Sequence, residues 1–100
     1  SIERFGQARA DGTGSTDLGE IVIAAGEGRV DTLFVARGVR RWGRVDEENR
    51  RVEEEREHAP GNEDLLDRAA VATWRNGGEV FAVTPEEVPE KAALAAVYRY

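Results

Sequence analysis

A layered α/β sandwich with a partly parallel sheet is the fold class that this sequence predicts. Helix-period apolar stripes recur at Leu18, Ile21, Val22 and Ala25 and again at Leu65, Leu66, Ala69 and Ala72. Each stripe gives way, through glycine, to a short apolar run: Leu33-Phe34-Val35-Ala36 after the first and Val80-Phe81-Ala82-Val83 after the second. Helices that alternate with buried strands stack as layers. At 100 residues the chain makes a single domain, 1–100, with enough length for one core.

Ser1 to Ala10 reads as a short helix with Ile2, Phe5 and Ala8 on one stripe, broken by Asp11-Gly12-Thr13-Gly14. Residues 1–14 are thus a leading helix and linker. Thr16 or Asp17 caps the next helix, and Asp17 with Glu20 has capping-box spacing. Gly28 is suited to end that helix in the left-handed conformation. Asp31 to Ala36 then runs without alternation, as a strand covered on both faces does.

Residues 46–57 admit a helix or a hairpin. They carry seven acids, three arginines and, as the one apolar residue, Val52, so a helix there has no face to bury. A hairpin with a four-residue turn at Glu47 to Arg50 sets Asp46 against Arg51, Val45 against Val52 and Arg44 against Glu53. Cross-strand pairs of those kinds are worth roughly 0.2–1 kcal/mol each, and the hairpin is the preferred reading. Ala59-Pro60-Gly61 is a turn, and Asn62 is placed to cap a helix from Glu63 to about Arg75, with Glu63 and Asp64 in its first turn. Asn76-Gly77 ends that helix and Gly78 permits the reversal into a strand at Glu79 to Val83. Thr84 to Pro89 is a turn or a single helical turn, with Pro85 at a first position. Leu94 to Tyr100 is the closing strand.

The charge balance is −6. An acidic domain is repelled as a whole by nucleic acid, whose binding needs phosphates neutralised. The charge is uneven, however: Thr32 to Val45 holds no acid but contains Arg37, Arg40, Arg41 and Arg44, with Trp42 among them. Arginine next to an aromatic residue suits either a protein interface or RNA, so Arg40, Arg41 and Trp42 are the candidate interaction residues. The opposing reading pairs these arginines with the neighbouring acids and lays Trp42 over the sheet edge. Trp74, late in its helix, reads as core or interface packing.

No catalytic, cofactor or metal residues are assigned. Cysteine is absent, which excludes disulfides and thiolate metal sites and fits the cytoplasm. His58, the one histidine, lies in a charged segment without partner ligands and reads as a surface residue. Ser1 and Ser15 lack a nucleophile-elbow setting. Gly12-Thr13-Gly14-Ser15-Thr16 is a loop and cap rather than a phosphate cradle, since no Gly-Lys-Ser/Thr follows. The Gly77-Gly78-Glu79 stretch, superficially like a catalytic Gly-Gly loop, reads as punctuation between helix and strand. No apolar run reaches the ~20 residues that span a bilayer.

Three stretches resemble the C-terminal domain of the archaeo-eukaryotic class I peptide chain release factors and Pelota. Ala24 to Val35 resembles that family's helix-Gly-x-Val-Asp/Glu-Thr-Leu-strand unit. The helix from Asp64 to Arg75 with Gly77-Gly78-Glu79-Val80 looks like its next helix-Gly-strand unit. Ala95-Ala96-Val97-Tyr98-Arg99-Tyr100 is similar to its closing strand. The likeness covers roughly residues 15–100 and is to the divergent bacterial branch. It implies a three-layer α/β/α fold with a mixed sheet, like that of the kink-turn-binding ribosomal proteins. It also implies a non-catalytic module, excised from the C-terminal end of a longer, translation- or ribosome-associated protein, that docks a protein partner. The absence of an initiator Met agrees with excision. The alternative is an RNA-binding module using the Arg37–Arg44 basic segment. Direct kink-turn binding is not expected, because Gly14 to Glu20 lacks the Asn and Lys of the Gly-x-Asn-x-x-x-Lys pattern and contains Asp17 and Glu20 instead.

Overall fold

The computed structural model describes residues 2–100 and has the element order α1 (Ile2–Asp11), β1 (Gly14–Ser15), α2 (Leu18–Gly26), β2 (Val30–Ala36), β3 (Trp42–Asp46), β4 (Arg51–Glu55), β5 (Glu63–Asp64), α3 (Leu65–Arg75), β6 (Glu79–Val83), two short 3-10 turns (Pro85–Glu87 and Pro89–Lys91) and β7 (Leu94–Tyr98). Ser1, the first residue of the expected leading helix, lies outside the described residues.

The main sheet has the order β1-β7-β2-β6. It is mixed: β2 is parallel to β6 and antiparallel to β7. Strand β2 is buried on both faces, and its side chains alternate between two cores. Leu33 and Val35 join Leu18, Ile21, Leu65 and Ala69 beneath α2 and α3. Phe34 and Ala36 join Phe5, Ala8 and Val97 beneath α1. The layers are therefore α1, the sheet, and the α2–α3 pair. At Asp31 the register against β7 slips: Val30 pairs with Tyr98 but Thr32 with Val97. This bulge spends one residue, so that Val30 faces the α2–α3 core and Thr32 faces α1, where Arg4 donates to its hydroxyl at 3.2 Å.

The hairpin forms in the expected register, with Arg44 opposite Glu53, Val45 opposite Val52 and Asp46 opposite Arg51. Val45 and Val52 turn inward onto the α2–α3 core. The strands β4, β3 and β5 make a second sheet. Gly43 lies at its centre, where an added Cβ would meet Glu53 O at 2.4 Å and Leu65 Cδ1 at 2.6 Å.

Several local expectations are corrected. Asp17 caps α2 by accepting from Glu20 N at 2.9 Å, but the Glu20 carboxylate does not complete the box and instead accepts the Tyr98 hydroxyl at 2.9 Å. Burial, together with that carboxylate, pushes the Tyr98 phenol far above its ordinary pKa. Gly14 and Ser15, expected as loop, pair with Val97 and Ala96. Helix α3 begins at Leu65, two residues later than expected, with Asp64 as its N-cap; Glu63 and Asp64 form β5. The closing strand ends at Tyr98. Trp74 is 72% exposed and thus not core. The Gly77-Gly78 reversal is structural: Gly77 has φ +84°, and a Cβ on Gly78 would lie 2.6 Å from Val30 O and 2.7 Å from Thr73 Cγ2.

Two glycine substitutions separate packing from chain entropy. Gly43→Ala is expected to destabilise the domain by about 1–3 kcal/mol, because backbone and core must both give way. Gly6→Ala, in α1 with open space around it, is expected to stabilise by about 0.5–1 kcal/mol. Urea denaturation of both variants checks the sign of each change.

Candidate interaction surface around the β2–β3 connection

Strand β2 delivers the basic segment to one end of the sheet. Arg37 N donates to Val83 O at 2.7 Å, and Gly38 turns the chain with φ +78°. Val39 tucks against both cores, which leaves Arg40 exposed beside it. Arg41 is then fastened through its backbone: its N–H donates to Asp64 Oδ1 at 3.1 Å, and its carbonyl accepts from Leu65 N at 2.6 Å. Asp64 also accepts from Leu66 N at 3.1 Å. One carboxylate therefore starts α3 and anchors the basic segment.

The four arginines are not equivalent. Arg41 Nη2 lies 2.7 Å from Glu54 Oε2, and Arg44 Nε lies 2.9 Å from Glu55 Oε2. Arg44 also donates to Pro60 O at 2.9 Å. These two are partnered by the acids of β4, as the opposing sequence reading has it. Arg37 feels the Glu87 carboxylate at longer range. Among the described residues Arg40 has no hydrogen-bond or ion-pair partner.

Trp42 does not act as a simple cover for the sheet edge. Its ring stacks on His58 with centroids 4.1 Å apart and planes 7° from parallel. The segment that carries His58 is held by Asn62. The Asn62 amide donates to Glu55 Oε1 at 2.8 Å and to Glu57 O at 2.9 Å, and its oxygen accepts from Ala59 N at 3.0 Å. Asn62 staples its own loop in place of capping α3, a use of asparagine that Pro60-Gly61-Asn62 would signal as readily as a cap. The Asn62 amide, with Arg44, holds the Glu55 carboxyl below the usual glutamate range. In the hairpin turn the Asn49 amide and N–H do the same for Asp46. Near α1, burial would raise Asp31, but hydrogen bonds from Arg4 and Thr32 and the charge of Arg4 outweigh it and lower the pKa.

The sequence-predicted residues Arg40, Arg41 and Trp42 lie in succession at the entry to β3: Arg40 is exposed, Arg41 is paired with Glu54, and Trp42 stacks on His58. The Trp42–His58 stack was not legible beforehand. A separate open groove of about 510 Å³ runs between the hairpin turn and α3 and includes Gly26, Asp67 and Arg75. Arg68 bridges it by binding Glu47 at 3.0 Å and Glu63 at 2.8 Å. Among the described residues no group of three or more His, Asp or Glu side chains is placed to hold a metal ion. Ser15 is buried and accepts from Asp17 N at 3.0 Å. No helix of the described residues is long and apolar enough to cross a membrane. No protein-family model matches the chain, and no curated protein matches it in sequence.

The lowered carboxylates set the acid response. Their folded pKa values lie below the unfolded ones, so their stabilisation is complete above the unfolded pKa and is lost as pH falls through the folded values. The melting temperature is expected to hold between about pH 8 and 5 and to fall below about pH 4. Asn62→Ala is expected to destabilise by about 1–2 kcal/mol at neutral pH and to make the acid limb shallower, since Glu55 loses its chief donor. Thermal melts of both proteins across that range check this.

Proposed function

We propose that this domain is a non-catalytic docking module of a release-factor-like protein that works in translation or on the ribosome, and that it binds a protein partner through the surface carrying Arg40, Arg41 and Trp42. One observation carries most of the weight. The two stretches that resemble successive helix-Gly-strand units of the release-factor domain form adjacent, parallel units: α2 with β2, and α3 with β6. The stretch that resembles the closing strand lies antiparallel beside them as β7. Sheet order and resemblance thus rest on the same residues. The likeness to the kink-turn-binding fold, a cytoplasmic setting and a longer parent protein belong to this same reading.

Protein docking suits the surface better than RNA does. Two of the four arginines in the segment are already neutralised by Glu54 and Glu55, while the Trp42–His58 stack offers an aromatic platform. Aromatic residues and arginine are the types that dominate interface energetics. RNA binding remains the second reading because Arg40 is exposed and Arg37 stands near it in sequence.

Affinity capture from cell extract with the parent protein is expected to recover ribosomal particles or a discrete protein partner. Arg40→Glu combined with Trp42→Ala is expected to lower the recovery by about tenfold or more. Recovery of neither by the unaltered parent overturns the proposal. For the RNA reading, Arg37→Glu/Arg40→Glu should abolish a binding that weakens steeply with salt, read by filter retention of labelled RNA. Binding indifferent to salt removes that reading.

A further inference from the structure

We infer that β6 is a self-pairing edge through which two copies of this chain join their main sheets, antiparallel, about a two-fold axis at Phe81. At the other edge of that sheet β1 is only two residues long and lies against α1. The outer edge of the hairpin sheet, β4, carries Arg51, Glu53, Glu54 and Glu55, the charged residues that keep strand edges apart. Strand β6 carries one charge, Glu79 at its start. Its sequence, Glu79-Val80-Phe81-Ala82-Val83, contains no lysine, proline or bulge, and Phe81 and Ala82 are exposed.

The backbone chooses the register. Val83 O accepts from Arg37 N, just beyond the end of β2, so the peptide groups of Glu79, Phe81 and Val83 face β2. Those of Val80 and Ala82 therefore face outward. Pairing centred on Phe81 sets Val80 opposite Ala82 of the second copy, and Ala82 opposite its Val80, which makes four hydrogen bonds from free groups alone. Centring on Val80 would need Gly78 N, which already donates to Thr73 O at 2.9 Å. Centring on Ala82 would need Thr84 N, which already donates to Glu87 Oε1 at 3.1 Å.

Side chains agree with that register. Phe81 stacks on Phe34 with centroids 5.5 Å apart, and the pairing brings it against Phe81 of the second copy, so one aromatic row crosses the junction. On the opposite face α3 packs over the sheet and carries Trp74, 72% exposed, in its last turn. At each end Glu79 meets the Val83 terminus of the second copy, where Arg37 supplies the opposite charge. Five residues of edge make a small interface, so the dimer is weak, with a Kd in the ~10 μM to 1 mM range.

Sedimentation equilibrium of the full chain from about 10 μM to 1 mM tests this. Concentration-dependent dimerisation is expected. Ala82→Pro removes an outward N–H without touching the ladder to β2 and is expected to raise the dimer Kd at least tenfold, while Arg40→Ala leaves it unchanged. Circular dichroism verifies the fold of the variant. Should Ala82→Pro fail to fold, Ala82→Lys takes its place. In an equimolar mixture of isotope-labelled and unlabelled chains, a nuclear Overhauser contact between the Phe81 Hα atoms of the two copies is expected. A chain that stays monomeric to about 1 mM overturns the inference, even if a foreign extended peptide binds the edge. So does a dimer indifferent to a folded Ala82 variant, or one without the Phe81 contact.

Discussion

Two-sided burial of β2 is the constraint on which the rest of this domain depends. A strand covered on both faces has no exit for a polar side chain, so it must be apolar or have its polar groups met inside. Leu33, Phe34, Val35 and Ala36 meet that condition by composition. Thr32, 1% exposed, meets it by hydrogen bonds with Arg4 and Asp31. Each face then requires its own cover, and the chain supplies α1 on one side and the α2–α3 pair on the other. Parallel pairing with β6 follows, since α3 crosses over the sheet and returns the chain beside β2 in the same direction.

Close packing around that strand also explains residues that look functional in isolation. Gly78 is small because the carbonyls of Val30 and Asp31 pass within 3.1 Å of where its Cβ would be. Gly77 takes a positive φ because α3 must end there and reverse. A mobile catalytic loop is the opposite of this: backbone packed against backbone, with β6 beginning one residue later.

Much of this was legible in the sequence, and the misses have a common cause. The hairpin register was readable because charge and β-branching alternate along Arg44-Val45-Asp46 and Arg51-Val52-Glu53, so a one-residue slip would oppose unlike partners. The Leu18–Ala25 stripe and the apolar runs of β2 and β6 were readable for the same reason: their information is local. Asn62, Asp64 and Glu20 were misread because each has two local uses; for Asn62 its own loop selects between them, and for Asp64 and Glu20 a distant residue does. Asp64 becomes the cap because Arg41 N also needs an acceptor. Glu20 leaves its box because Tyr98, 78 residues away, offers a hydroxyl. The Trp42–His58 stack depends on the whole path from β3 to β5, and no spacing rule encodes it.

The electrostatics of the surface follow from where the arginines end up. The pairs at Arg41 and Arg44 are half-exposed, so each contributes little to stability. Their larger effect is to cancel charge on the face where the sequence is most basic. With Asp64 anchoring the backbone and Glu54 and Glu55 holding two of the four guanidinium groups, the segment becomes a fixed, half-neutralised ledge with exposed Arg40 and the Trp42–His58 stack on it. On the proposed reading, a protein that docks on such a ledge would draw on shape and aromatic area, with Arg40 setting orientation. A phosphate backbone needs several unpaired cations in a row, and this ledge has already spent half of its own internally.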